Sequence, residues 1–173
     1  MVIAFAMTIF FSCQTDFKEV QQMGVINKGP LSIAENINTK YTDSGKLKSH
    51  LQSAKMLNFS NRDFGFYEFP DGAVLDLFDD DNNKSNVIAD YAIMFDETNL
   101  IDLRGNVVLH THNNDTLFAD QLYYDQEREW LFTNQPVRFR TKDQIINGNG
   151  FDSNRNFTNA QVLEVTGIVY LNE

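Results

Sequence analysis

One pattern is stated three times in this chain, and that repetition restricts the fold more than any other feature. The copies run IADYAIMFDETNLIDLRGNVVLH from Ile88, LFADQLYYDQEREWLFTNQPVRF from Leu117 and INGNGFDSNRNFTNAQVLEVTGIVYL from Ile146. Each places a small residue (Ala89, Ala119, Gly148) ahead of an aromatic followed by Asp (Phe95 and Asp96, Tyr124 and Asp125, Phe151 and Asp152). A polar turn and an alternating strand complete it. The small residues lie 30 and then 29 positions apart, a period that signals stacked hairpin units sharing one continuous core.

Within the copies, apolar side chains recur at every second position, which is the period of a half-buried strand. Tyr91, Ile93 and Phe95 share one phase, as do Ile101, Leu103, Val107 and Leu109. The same holds for Val137 with Phe139, and for Leu163, Val165, Val169 and Leu171. Leu117 and Ala119 are out of phase with Leu122 and Tyr124, so a β-bulge is expected near Gln121. Upstream, Leu47, Leu51, Leu57 and Phe59 alternate as a strand, and FGFYEF and AVLDLF flank Pro70, Asp71 and Gly72 as an expected hairpin. The fold class is therefore all-β, an antiparallel sheet built from hairpin repeats.

Composition narrows the partners. At 173 residues and 42% apolar content, the chain can bury one sizeable core. A net charge of -10 lacks the clustered Lys and Arg that phosphate backbones require, which argues against nucleic acid. The first twelve residues, MVIAFAMTIFFS, form an uncharged run of about 18 Å as a helix, short of the ~30 Å hydrocarbon core. They read as the apolar region of a secretory signal ending at small Ser12 and the single Cys13. FFSC resembles the lipobox of bacterial lipoproteins, which implies a lipid on Cys13; the other reading is an ordinary signal-anchor with an incidental cysteine. Residues 14–44 are polar and irregular, broken by Gly29 and Pro30, with a short helix possible around Asp16 to Met23, and read as a tether. Three segments result: anchor 1–13, tether 14–44 and β-domain 45–173.

Motifs for chemistry fail on inspection. His110 and His112 share a strand face, but the glutamate of a cupin-type metal site is missing, since Thr116 and Leu117 stand there. Asp79, Asp81, Asn83 and Asp90 mimic a calcium loop, yet Lys84 replaces its obligatory Gly, leaving a solvated turn. Glu127 and Glu129 suit a hairpin tip better than a glycosidase pair, and GNG at 148–150 opens no dinucleotide-binding helix. No enzyme, metal or cofactor is expected.

A family comes into view in the order of FPDGAVLDLFD, SNVIADYAIM, LRGNVVL, DTLFADQLYYD and INGNG. Residues 45–173 resemble the LptC family, the membrane-anchored periplasmic component of lipopolysaccharide export. The resemblance implies a sheet folded over like a taco or open jelly roll. It also implies a groove for the acyl chains of lipid A, a lipopolysaccharide ABC transporter in the inner membrane as donor, and edge-to-edge strand pairing with a bridge protein of the same fold. Residues expected to line the groove are Tyr91, Ile93, Phe95, Ile101, Leu103, Val107, Leu109, Leu117, Leu122, Tyr124, Trp130, Phe132, Val137, Phe139, Leu163, Val165 and Val169. A final strand from about Val162 to Leu171, with Leu163, Val165, Ile168 and Val169, is expected at the rim that receives the partner. The alternative is a carbohydrate-binding or structural β-solenoid lipoprotein at the cell surface.

Overall fold

Tight turns rich in Asn, Asp and Gly set the register of the strands. Ser44 and Gly45 both adopt positive φ (49° and 78°), the two-residue geometry that matches the twist of a hairpin. Asp79 closes the next turn, its carboxylate accepting from the backbone N–H groups of Asp81 and Asn83 at 3.0 and 2.8 Å. Asn99 and Asn114, with φ of 52° and 66°, serve later turns in the same way.

The computed structural model describes residues 29–166. Its strands are β1 (Ser32–Asp43), β2 (Lys46–Asn58), β3 (Phe66–Phe69), β4 (Ala73–Phe78), β5 (Lys84–Ala89) and β6 (Tyr91–Phe95). After them come β7 (Leu100–His110), β8 (Thr116–Asp125), β9 (Trp130–Arg140), β10 (Ile145–Asn154), β11 (Gln161–Val162) and β12 (Val165–Thr166). All twelve belong to one sheet, and every pairing is antiparallel.

Several strands are halves of one longer passage. Both β3 and β4 pair with β2, at Leu57↔Glu68 and Leu51↔Leu75, so Pro70, Asp71 and Gly72 bend a single strand. This corrects the expected hairpin between FGFYEF and AVLDLF. Likewise β5 and β6 both lie on β7 and meet at Asp90. The chain thus meanders back and forth, each long passage beside the next.

A crease crosses these passages at one level. Gly72 has φ +85°, and a Cβ there would meet the carbonyl oxygen of Ala89 at 2.9 Å. On the neighbouring strand the Asp90 N–H donates to the carbonyl of Gly105 at 3.0 Å, and Asn106 Nδ2 donates to the Asp90 carboxylate at 2.6 Å. Gly105 and Asn106 both have positive φ, and the β7–β8 register shifts there, between Arg104 and Val107. The shift continues between Ala119 and Tyr123 on β8 and between Asn149 and Phe151 on β10. The bulge expected near Gln121 is part of this line.

The crease has a regular arithmetic. Passages in one direction separate the last inward residue before it from the first after it by three positions: Ala89 to Ala92, Ala119 to Leu122, Gly148 to Phe151. Return passages use four: Phe69 to Ala73, Leu103 to Val107, Thr133 to Val137. The repeated small residues therefore mark where each strand folds over.

Folding along the crease brings two flaps face to face. Their inner side chains form one buried cluster, and the rings of Phe139 on one flap and Phe151 on the other lie 5.5 Å apart. Two expectations change. Residues 32–43, read as tether, are strand β1, paired with β2 from Ser32↔Asn58 to Asp43↔Lys46. Alternation was hard to see there because most of β1 is exposed, so selection for apolar residues acts on few of its positions. The final strand is interrupted: β11 and β12 pair with β10 separately, on either side of Leu163 and Glu164, where the crease reaches the rim. Ile168, Val169 and Leu171 lie outside the described residues, as do Cys13 and the helix considered around Asp16 to Met23.

Alanine at Gly72 and at Gly45 imposes the same left-handed strain, about 1 kcal/mol, but only Gly72 also meets backbone. Gly72→Ala is expected to cost about 2–3 kcal/mol and Gly45→Ala about 1, compared by urea denaturation.

Candidate functional site: an apolar interior between two flaps

In-register ladders line the interior. On one flap Leu51, Leu75, Val87, Leu109, Leu117, Phe139 and Ile146 stand opposite one another across successive strands. On the other, Tyr67, Met94, Ile101, Tyr124 and Leu131 form a second ladder, and Phe69, Ala92, Leu103 and Leu122 a third. Leu75, Val87, Leu103, Leu109, Leu122 and Leu131 are 0% exposed. Each such side chain removed from water contributes roughly 1.5–3 kcal/mol, so the face-to-face arrangement is strongly favoured.

Of the expected lining, Ile101, Leu103, Val107, Leu109, Leu117, Leu122, Tyr124, Val137 and Phe139 are buried in this interior. Others point away. Asp90 occupies the crease, so the inward phase after it belongs to Ala92 and Met94, and Tyr91, Ile93 and Phe95 take the outer face. Tyr91 donates to Glu68 Oε1 at 2.7 Å, and burial followed by that carboxylate pushes its pKa up to about 12. Phe132 stacks on Tyr123 outside at 5.1 Å, and the Trp130 indole donates to Asp152, because Leu131 between them is the inward residue. Leu163 and Val165 are exposed at the rim. Val169 is not among the described residues.

Alternation assigns Leu51 to a strand without placing it in the lining, and it leaves out Phe69, Leu75, Leu77, Val87, Ala92, Leu131 and Phe151. The three- and four-residue steps across the crease would have found most of them.

Opposite the crease, charged groups close the mouth. The β1–β2 register shifts after Tyr41↔Ser49 to Thr42↔Leu47, leaving Lys48 as a bulged residue without a partner on β1. Its Nζ lies 3.0 Å from Asp80 Oδ1 on the same flap and 3.4 Å from Glu129 Oε1 on the other. Arg155, which follows β10, reaches Glu129 Oε1 at 2.5 Å and Asp80 Oδ1 at 3.2 Å. Lys48 and Arg155 are 9% and 5% exposed, while the Asp80 side chain is 73% exposed. The hydrogen bond from Lys48 and the positive charges of Lys48 and Arg155 hold the Asp80 carboxyl below its ordinary range. The Asp80 hydrogen bond in turn raises Lys48, against the opposing effect of burial. Residues 48, 80, 129 and 155 are scattered through the sequence, with no local spacing to reveal them.

His110 is exposed, with Nδ1 3.3 Å from Thr116 Oγ1, and the backbone N–H of His112 donates to Ser85. Among the described residues no group of three or more His, Cys, Asp or Glu is placed to hold a metal ion. No described helix is long and apolar enough to cross a membrane.

A single antiparallel sheet folded on itself, with an apolar interior and a charged cluster at its free mouth, defines a class of folded-over β-proteins. The chain belongs to the family described as lipopolysaccharide-assembly, LptC-related, whose model matches residues 1–170. That family is a component of lipopolysaccharide transport, in general periplasmic and anchored to the inner membrane. No curated protein matches the chain.

The shifts at the mouth fix a pH dependence. The depressed Asp80 carboxyl contributes above the ordinary aspartate value, and its contribution is lost as pH falls through the lower folded value. The raised Lys48 contributes fully below the ordinary lysine value and is lost only as pH rises through its higher one. Hydrogen-exchange protection of the Asp79–Asn83 turn is therefore expected to stay level between about pH 5 and 9 and to fall below about pH 4.

Proposed function

We propose that this chain encloses the lipid A acyl chains of lipopolysaccharide between its flaps. It relays the lipid from an inner-membrane ABC transporter toward a periplasmic bridge protein of the same fold. The apolar ladders spanning both flaps carry this reading, together with membership of a lipopolysaccharide-transport family. An acyl chain of about a dozen methylenes in water costs on the order of 10 kcal/mol, so a carrier has to offer it an apolar lining. The interior residues supply one, and because they pack against each other, loading parts the flaps rather than filling a standing void.

The N-terminal apolar run holds the protein at the inner membrane, through a lipid on Cys13 or as a signal-anchor. Transfer is a binding and release process and uses none of the chain's side chains as a chemical catalyst. The rim formed by β11 and β12 receives the bridge protein, since among the described residues these strands pair with β10 and with no strand beyond them.

Photo-crosslinkers at Leu103 and Phe139, one on each flap, are expected to give lipopolysaccharide adducts in cells. Adducts with polysaccharide alone would instead favour the surface carbohydrate-binding alternative. Val165→Pro is expected to weaken binding of the bridge protein by about tenfold or more. Unchanged affinity in a folded variant refutes docking at this rim.

A further inference from the structure

The mouth cluster holds more donors than it uses. Lys48 Nζ and the two terminal nitrogens of Arg155 converge on only two carboxylates, Asp80 and Glu129. Beside them, Arg155 Nε and the Tyr124 hydroxyl are buried without a hydrogen-bond partner. Tyr124 is fully buried near the end of β8, next to the turn that carries Glu129, and burial pushes its pKa up, so it remains a neutral O–H donor. Leaving two buried polar groups unsatisfied is costly. A constellation of two cations and two spare donors is complementary to an oxyanion with more oxygens than a carboxylate has.

Asp80 is the exchangeable member. One of its oxygens bridges Lys48 and Arg155, and its side chain is mostly in water. Its turn, Asp79–Asn83, belongs to one flap, while Arg155 and Glu129 belong to the other, so the Asp80–Arg155 pair is a bond across the mouth.

We propose that Lys48 and Arg155, with Tyr124, form a binding site for the phosphate headgroup of an amphiphile, and that Asp80 occupies it until the phosphate displaces it. The exchange breaks the Asp80–Arg155 tie between the flaps and keeps the cations paired. Entry of the headgroup thereby exchanges the fixed Asp80 tie for one carried by the ligand, and the Lys48–Glu129 pair is left as the direct ionic tie between the flaps. Glu129, held by both cations, remains in place and keeps Arg155 oriented. This inference rests on the carrier reading for the acyl part of the ligand and adds to it the headgroup chemistry and the displacement of Asp80.

The test uses the full chain with dodecyl phosphate, the uncharged dodecyl maltoside and inorganic phosphate, read by calorimetric affinity and by exchange of the 79–83 amides. Dodecyl phosphate is expected to bind about tenfold or more tightly than the maltoside and to speed exchange of the turn. Asp80→Asn, a change at an exposed side chain, is expected to raise affinity for dodecyl phosphate several-fold by removing the competitor, and by more than it raises affinity for the maltoside, which gains only from loss of the Asp80–Arg155 tie. Lys48→Gln and Arg155→Gln are expected to abolish the preference for phosphate. Equal binding of both amphiphiles, with Asp80→Asn changing neither, would overturn the headgroup site while leaving the carrier reading intact. Binding of neither would overturn both. Inorganic phosphate binding as tightly as dodecyl phosphate, or speeding exchange by itself, would assign the site to free phosphate and overturn the amphiphile headgroup site.

Discussion

Without the bend that crosses each long strand, the apolar face of this sheet would stand in water, since among the described residues there is no helix or second sheet to cover it. The bend lets one face bury against itself, which makes the backbone at the crease the element on which the architecture depends. Gly72, Gly105 and Asn106 supply left-handed conformations there, Asp90 bonds across it, and small residues leave room for the turnover. Large β-branched side chains at these points would oppose both the dihedral angles and the close backbone approach.

Much of this was legible in the sequence, and the limits have specific causes. Alternation identified the strands and most of the interior, because burial on one face imposes a strict period of two. Parity does not carry across Asp90, so simple alternation puts Tyr91, Ile93 and Phe95 inside, where Ala92 and Met94 stand. The bulge near Gln121 was visible because Leu117 and Tyr124 are both large enough to betray opposite phases. Pro70–Gly72 carried a hairpin signature while serving as a bend, for the two geometries draw on the same residue types. The ionic mouth was invisible, as its members come together only through tertiary folding and each alone resembles an ordinary surface charge.

The two margins of the folded sheet contrast in chemistry. At the crease the flaps are joined covalently and by backbone hydrogen bonds, so separation there is not an elementary motion. At the mouth they are joined by ionic contacts whose desolvation offsets much of their attraction. Closing that side with aliphatic contacts would fasten the flaps more firmly, and an interior that must exchange its contents favours the weaker seam. The location of buried charge is thus consistent with a protein that opens like a hinged cover, about the crease.

The alternating three- and four-residue crossings carry an evolutionary corollary. Each out-and-back passage restores the chain to the flap it left with its greasy side still facing inward. A hairpin is consequently a self-contained module, and duplicating one lengthens the trough by about 9.6 Å, two strand spacings, without rewiring its neighbours. Tandem duplication of such modules would produce an internal likeness of the kind seen between the segments beginning at Ile88 and Leu117, and would change trough length in whole steps.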